Sequence, residues 1–211
     1  MKYLFFILPL LALVYVFIRM WYILPFSSLG KSFVVGLGVL IFASMILLFV
    51  AGLDNMPLKI STIFYEITTS WLFILLYLLM IFLLMDILRC CHVLPKEFLF
   101  NSIKGTCIVF GAVLLIFIYG NIHYYQKKKV NIALTTDKQI EKPLKIILIS
   151  DLHLGYHNQR HTFAKWVDKL NKEQADLILI GGDIIDISTK PLFEQKVYEE
   201  FIRLNAPIYA C

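Results

Sequence analysis

The chain has 211 residues, 59% of them apolar and 17% charged, which is too apolar for an ordinary soluble domain. Its formal net charge of +5 fits a chain lying against a membrane, but the charge is spread too thinly to argue for nucleic acid as a partner. The four cysteines (Cys90, Cys91, Cys107 and Cys211) show neither C-x-x-C spacing nor a disulfide framework.

The apolar excess falls in the first 125 residues, in runs at about 3–24, 33–53, 67–85 and 105–122. Each approaches the roughly 20 residues that cross a hydrocarbon core. Trp21, Tyr22, Trp71, Tyr124 and Tyr125 stand near the run ends, where amphipathic rings favour the headgroup region. A buried helical core would leave too few polar residues facing water. Residues 1–125 are therefore expected to form four membrane helices. The first run opens on Met1-Lys2 but is followed by Arg19-Met20-Trp21-Tyr22 and not by a small-residue cleavage site, so it is expected to be retained as a helix. Four spans put both ends of the region on one side, with five basic residues (Lys2, Lys59 and Lys127 to Lys129) against five (Arg19, Lys31, Arg89, Lys96 and Lys104). The compact lysine triplet after the last run favours a cytoplasmic C-terminal domain.

Three features of this region have local explanations. Cys90-Cys91 could be acylated, but two small residues filling an interface is the favoured account. Asp86 could mark an ion path, but pairing with Arg89 at i+3 is preferred. His92 and His123 sit at run ends and are taken as interfacial.

The composition changes at about Gln126, and residues 126–211 carry the pattern of a partial α/β domain. Residues 130–134 alternate apolar and polar side chains, as in a half-buried strand, and Thr136-Asp137-Lys138 suits a turn. Residues 143–150 form a near-continuous apolar strand that should be buried on both faces. Phe163, Trp166, Val167 and Leu170 give one apolar helical face. Residues 175–180 form another buried strand. A helix should begin near Pro191, capped by Ser188 or Thr189, with Phe193, Val197, Phe201 and Leu204 on its apolar face. Residues 207–211 begin a further strand. The order β-β-α-β-α-β implies parallel strands with right-handed crossovers.

Ligands bind beyond the carboxyl ends of such strands, and two acidic clusters lie there. Ser150-Asp151-Leu152-His153-Leu154-Gly155 follows the first long strand, and Gly181-Gly182-Asp183-Ile184-Ile185-Asp186 follows the next. On an extended turn Asp151 and His153 can face the same way and bind one divalent ion. Asp183, arriving from the adjacent strand, could bridge it to a second, and two ions about 3.5–4 Å apart can clamp a phosphate for attack. Gly182 would keep a side chain away from the metals, and Gly155 would let the chain turn away. Asp186 suits a turn or cap better than ligation. His157, His161 and Arg160 are candidates for a substrate pocket, Arg160 by pairing with phosphate, although a solvated loop and helix start is the commoner explanation of such a stretch.

These two motifs, Ile149-Ser150-Asp151-Leu152-His153-Leu154-Gly155 and Gly181-Gly182-Asp183, resemble those of the calcineurin-like metallophosphoesterases, most of all their membrane-attached bacterial branch. The resemblance implies the N-terminal portion of a β-sandwich flanked by helices. It implies Asp151 and His153 as ligands of a first metal, Asp183 as a bridge to a second, and manganese, iron, zinc, cobalt or nickel as the ions. The family pattern continues after the third strand with G-N-H-[D/E] and a later G-H-x-H, whose residues complete the second site and assist the leaving group. Cys211 is the last residue, so the chain is expected to be truncated and to lack a catalytic residue beyond its metal ligands.

The expected function is hydrolysis of phosphomono- or diesters by a membrane-anchored enzyme. A phosphorylated small molecule or a lipid headgroup is the expected substrate and the bilayer the expected partner. The alternative is a membrane sensor or scaffold that binds a metal or phosphorylated ligand without turnover.

Overall fold

A computed structural model describes residues 2–211, with side chains at all of these except residues 2–6, 49 and 51. The chain divides into two compact units, Met1–Ile46 with Ile67–Asn131, and Leu47–Glu66 with Ile132–Cys211.

The first unit is built from helices α1 (Lys2–Ile23), α2 (Ser28–Ala51), α3 (Leu58–Cys90) and α4 (Ile103–Tyr125), of which α2 and α3 also contribute residues to the second. Its core forms where Val16, Met20 and Ile23 of α1 meet Leu75, Leu78, Phe82 and Met85 of α3 and Val109 and Val113 of α4. These residues recur every three or four positions, which gives each helix one buried stripe. Outside the stripes the surface is also apolar: Leu40 is 67% and Leu115 68% exposed. A helix apolar all round suits a lipid environment. Among the described residues, three helices are long and apolar enough to cross a membrane (Ser28–Leu48, Leu58–Cys90 and Ile103–Tyr125), while the apolar stretch of α1 within them, Ile7–Ile23, is shorter. Gly38 brings α2 close to α3, since a Cβ there would lie 2.7 Å from the Trp71 ring, and Trp71 Nε1 donates to Gly38 O at 2.9 Å. His92 ends α3 with a φ of 60° while Val93 N donates to Leu88 O, a left-handed helix stop.

The partner expected for Asp86 is corrected. Asp86 Oδ1 lies 2.7 Å from the Arg19 guanidinium and Oδ2 accepts from the Tyr15 hydroxyl at 2.6 Å. The carboxylate is aimed across the bundle at α1 and not along its own helix at Arg89.

In the second unit, strands β1 (Ile146–Ile149), β2 (Leu177–Ile180) and β3 (Ile208–Ala210) form one parallel sheet in the order β1-β2-β3. Ile149 pairs with Ile180 and Ile180 with Ala210, so all three strands end together. One side of the sheet is covered by helix α5 (Arg160–Lys172) and two short helices, α6 (Lys190–Glu194) and α7 (Tyr198–Ile202). Phe163 and Val167 of α5 are fully buried with Ile178 and Ile180 of β2, and the Phe163 ring lies 4.6 Å from that of Phe201.

Three expectations for this region change. Residues 130–134 form no strand; Val130 is 79% and Leu134 89% exposed, because among the described residues no partner strand satisfies their backbone groups. Strand β1 is not buried on both faces, since Ile146 and Leu148 are open and only Ile147 and Ile149 pack on the core. The single helix expected after Pro191 is two helices, broken where Lys196 takes a φ of 53°; the break leaves Phe193 exposed and buries Val197. Ser188 caps the first of them, its Oγ accepting from Lys190 N at 3.1 Å.

Candidate metal centre

Because β1 and β2 are parallel and in register, the segments leaving Ile149 and Ile180 emerge side by side. Backbone hydrogen bonds lace them together. Gly181 N donates to Ile149 O, His153 N to Asp183 O, Leu154 N to Ile184 O, and Asp186 N to Leu154 O, all between 2.8 and 3.0 Å. Two loops that would each be mobile alone thus constrain each other.

Within that lacing, alternate residues separate by polarity. Leu152 and Leu154 are 5% and 0% exposed and drop into the core, while Asp151 and His153 point out. The turn is not extended as expected, for Asp151, His153 and Asp183 have φ of 55°, 42° and 47°. This left-handed region is sparsely populated, and among non-glycine residues it favours Asp, Asn and His. Three such residues in one cluster mark a site whose surroundings over-determine it. Gly182, at φ 77°, takes the conformation only glycine adopts freely. Gly155 serves differently from expectation. Its φ is ordinary, but a Cβ there would lie 2.9 Å from Asp186 Cβ, so its lack of a side chain lets the two loops touch.

The structure brings Asp151, His153 and Asp183 together. His153 Nε2 lies 3.9 Å from Asp151 Oδ1 and 4.0 Å from Asp183 Oδ2, and one ligand atom from each residue lies within 4.8 Å of the others. All three side chains are solvent-accessible, and Ser150 Oγ donates to Asp151 Oδ2. Two carboxylates and one imidazole are a donor set suited to a divalent ion of intermediate hardness, such as manganese, iron, cobalt, nickel or zinc. The residues fit the ion in their chemistry.

The other candidates lie outside this cluster. Arg160 begins α5, where its guanidinium is held by Glu200 at 2.8 Å, Glu199 at 2.9 Å and Gln195 O at 3.2 Å. His157 Nδ1 lies 3.8 Å from Glu66, and His161 contacts Thr162 Oγ1. Asp186 Oδ2 accepts from the Tyr65 hydroxyl at 2.7 Å, and Asp186 is not among the three residues whose ligand atoms cluster.

Two groups escaped the sequence reading. Asn158, in a stretch that looks solvated, is 3% exposed and donates to Leu152 O at 3.0 Å, pinning the backbone between Asp151 and His153. Asp54, between α2 and α3, accepts from both Tyr156 and Ser188. Asn158 follows the D-x-H element closely enough to be suspected, whereas no local pattern marks Asp54.

Residues 144–211 match the sequence profile of the calcineurin-like phosphoesterases. An uncharacterised metallophosphoesterase of Helicobacter pylori strain 26695 is 40% identical over 50 residues, 24% of this chain and 14% of that protein. One from Campylobacter jejuni is 36% identical over 53 residues, 25% of this chain and 14% of that protein. The matched stretch therefore spans about one-seventh of these relatives. No solved structure gives a significant match. The C-terminal segment belongs to the calcineurin-like phosphoesterase family, whose members typically use divalent metals.

Proposed function

We propose that the chain is part of a membrane-anchored, metal-dependent phosphoesterase that hydrolyses phosphomono- or diesters. The observation that carries this reading is the convergence of Asp151, His153 and Asp183 at the ends of two laced parallel strands. Asp151, His153 and Asp183 would hold the divalent metal, with Asp151 and His153 as ligands of a first ion and Asp183 as the ligand available to share with a second. When bound, such ions supply Lewis acidity toward phosphoryl oxygens and charge to stabilise the transition state. The chain's own residues supply the anionic cradle, and their openness to solvent leaves room for a phosphate ester.

The apolar helices support anchoring in a bilayer, and Lys127 to Lys129 support a cytoplasmic phosphoesterase segment. An anchored enzyme meets phosphorylated lipid headgroups at high local concentration, which makes them the favoured substrates.

In the whole protein assayed with manganese on a chromogenic phosphodiester, Asp183→Asn should lower turnover by about 100-fold or more, at or beyond the top of the range for groups that only orient metal ligands. Turnover like the wild type would overturn the assignment. Manganese binding with no hydrolysis of any phosphoester by the wild type would leave a metal-binding sensor instead.

A further inference from the structure

The connection between α2 and α3 joins two candidate membrane spans, yet Leu47–Glu66 folds with the phosphoesterase segment. Its polar contacts fall on two short stretches just downstream of the metal-site residues. Tyr156 lies three residues past His153, and Asp186 three residues past Asp183. Asp54 Oδ1 accepts from the Tyr156 hydroxyl and from Ser188 Oγ, each at 2.6 Å, so one carboxylate oxygen ties the two loops together. Tyr65, on the first turns of α3, donates to Asp186 Oδ2 at 2.7 Å, and its ring lies 5.6 Å from that of Tyr156. Lys190 Nζ in turn donates to the backbone carbonyls of Asp54 and Met56 at 2.8 and 2.5 Å, fixing the connection itself.

Tyr156 is fully buried, so its hydroxyl needs a partner, and Asp54 provides it. The two loops are thus fixed twice, by the backbone lacing beside the ligands and by this polar clamp beyond them. Ligand groups must be held within about 0.5 Å to bind a metal well, and left-handed conformations at all three candidate ligands persist only under such constraint.

We infer that Asp54 and Tyr65 are positioning residues for the metal centre: through Tyr156, Ser188 and Asp186 they set the separation of the Asp151–His153 loop from the Asp183 loop. This rests on the metal-binding role proposed above for those three residues. Groups that orient ligands from outside typically change metal affinity by about 10–100-fold.

The test is manganese binding to the detergent-solubilised chain, followed by the loss of the free-ion electron paramagnetic resonance signal. Asp54→Ala should weaken binding about tenfold, and Tyr65→Phe severalfold. Asp54→Asn keeps an acceptor oxygen and should stay within about threefold of the wild type, a rescue that separates positioning from charge. Tyr65→Phe retains the ring and loses one hydrogen bond to a carboxylate, so its thermal midpoint without metal should fall by only about 3–6 °C, leaving a folded protein, while its affinity falls. It therefore carries the test even where Asp54→Ala fails to fold. Without metal, residues 151–157 and 182–188 should exchange amide hydrogens faster in Tyr65→Phe. Wild-type affinity in Tyr65→Phe and in folded Asp54→Ala, with binding lost in Asp183→Asn, would overturn the positioning role alone. Wild-type affinity in Asp183→Asn, or no binding by the wild type, would overturn the metal reading and positioning together.

Discussion

Each unit contains an arginine–carboxylate assembly, and the two are built differently. In the helical unit Arg19 is 8% exposed and is paired with the carboxylate of Asp86, which also accepts from Tyr15. The rings of Phe82 and Phe100 lie 5.9 and 6.0 Å from the guanidinium, while its Nε is buried with no hydrogen-bond partner among the described residues. In the α/β unit Glu200 is the buried member, and Arg160 and Arg203 both reach it from the surface, where Glu199 and Asp168 also hold them. Burial alone would raise the Glu200 pKa, but hydrogen bonds from Arg160 and Arg203 outweigh it and hold the carboxyl below its usual range. The same side-chain chemistry thus serves two purposes. One assembly keeps a single cation neutralised among apolar helices, and the other gives a buried anion two cations that still reach water.

The contrast predicts unequal costs, and the largest belongs to Asp86. Asp86→Ala would leave Arg19 charged among apolar helices with only aromatic faces and Tyr15 beside it. Breaking a buried pair on one side typically costs about 3 kcal/mol or more. Unfolding in mixed micelles with increasing dodecyl sulfate measures that loss. A cost below about 1 kcal/mol, the range of exposed pairs, would mean that Arg19 is hydrated and would erase the difference between the two assemblies.

Glu200→Gln should cost less, about 1.5 kcal/mol, because hydrogen bonds to charged groups contribute about that much and both arginines can turn to solvent. The thermal midpoint of the solubilised chain reports it. A loss as large as that of Asp86→Ala would show that the guanidiniums are more deeply enclosed than their 38% and 46% exposure indicates.

These assemblies also show where the sequence speaks and where it is silent. The metal triad is legible because its residues sit at strand ends, and parallel strands in register must deliver strand ends to one edge. The fold-level pattern of strands and helices from residue 143 onward is legible for the same reason, since buried faces impose a period. Arg19 and Asp86 are not legible as a pair, because helix packing selects partners across the bundle while the sequence displays only neighbours such as Arg89. The alternation at 130–134 misleads, since a strand exists only when a partner accepts its hydrogen bonds. The break at Lys196 is hidden because Phe193, Val197 and Phe201 keep helical spacing through it. Asp54 and Tyr65 lie between two apolar runs with no motif around them, and only the folded chain shows what they hold.

A third carboxylate sharpens the comparison with the smallest effect. Asp54 has neutral hydroxyl donors, and its pKa is lowered first by the Ser188 hydrogen bond and then by that of Tyr156. A carboxyl whose folded pKa lies below its unfolded value contributes stability above the unfolded value, and that contribution is lost as pH falls through the folded one. Tyr156 is shifted the opposite way, pushed up to about 12 by burial and then by the Asp54 hydrogen bond. Its contribution is complete below the ordinary tyrosine value of about 10 and disappears as pH rises through the folded value. The clamp should therefore be constant from about pH 5 to pH 9, weakening below about pH 4 and above about pH 10. Thermal midpoints of wild type and Asp54→Asn across that range should differ by a fixed amount at neutral pH. They should converge in acid, where Asp54 protonates and its charge no longer distinguishes the two proteins. A difference that persists unchanged down to pH 2 would mean that hydroxyl donors have no hold on the ionised form. The Asp54 carboxylate would then act through its shape, unlike Glu200, whose two arginines respond to its charge.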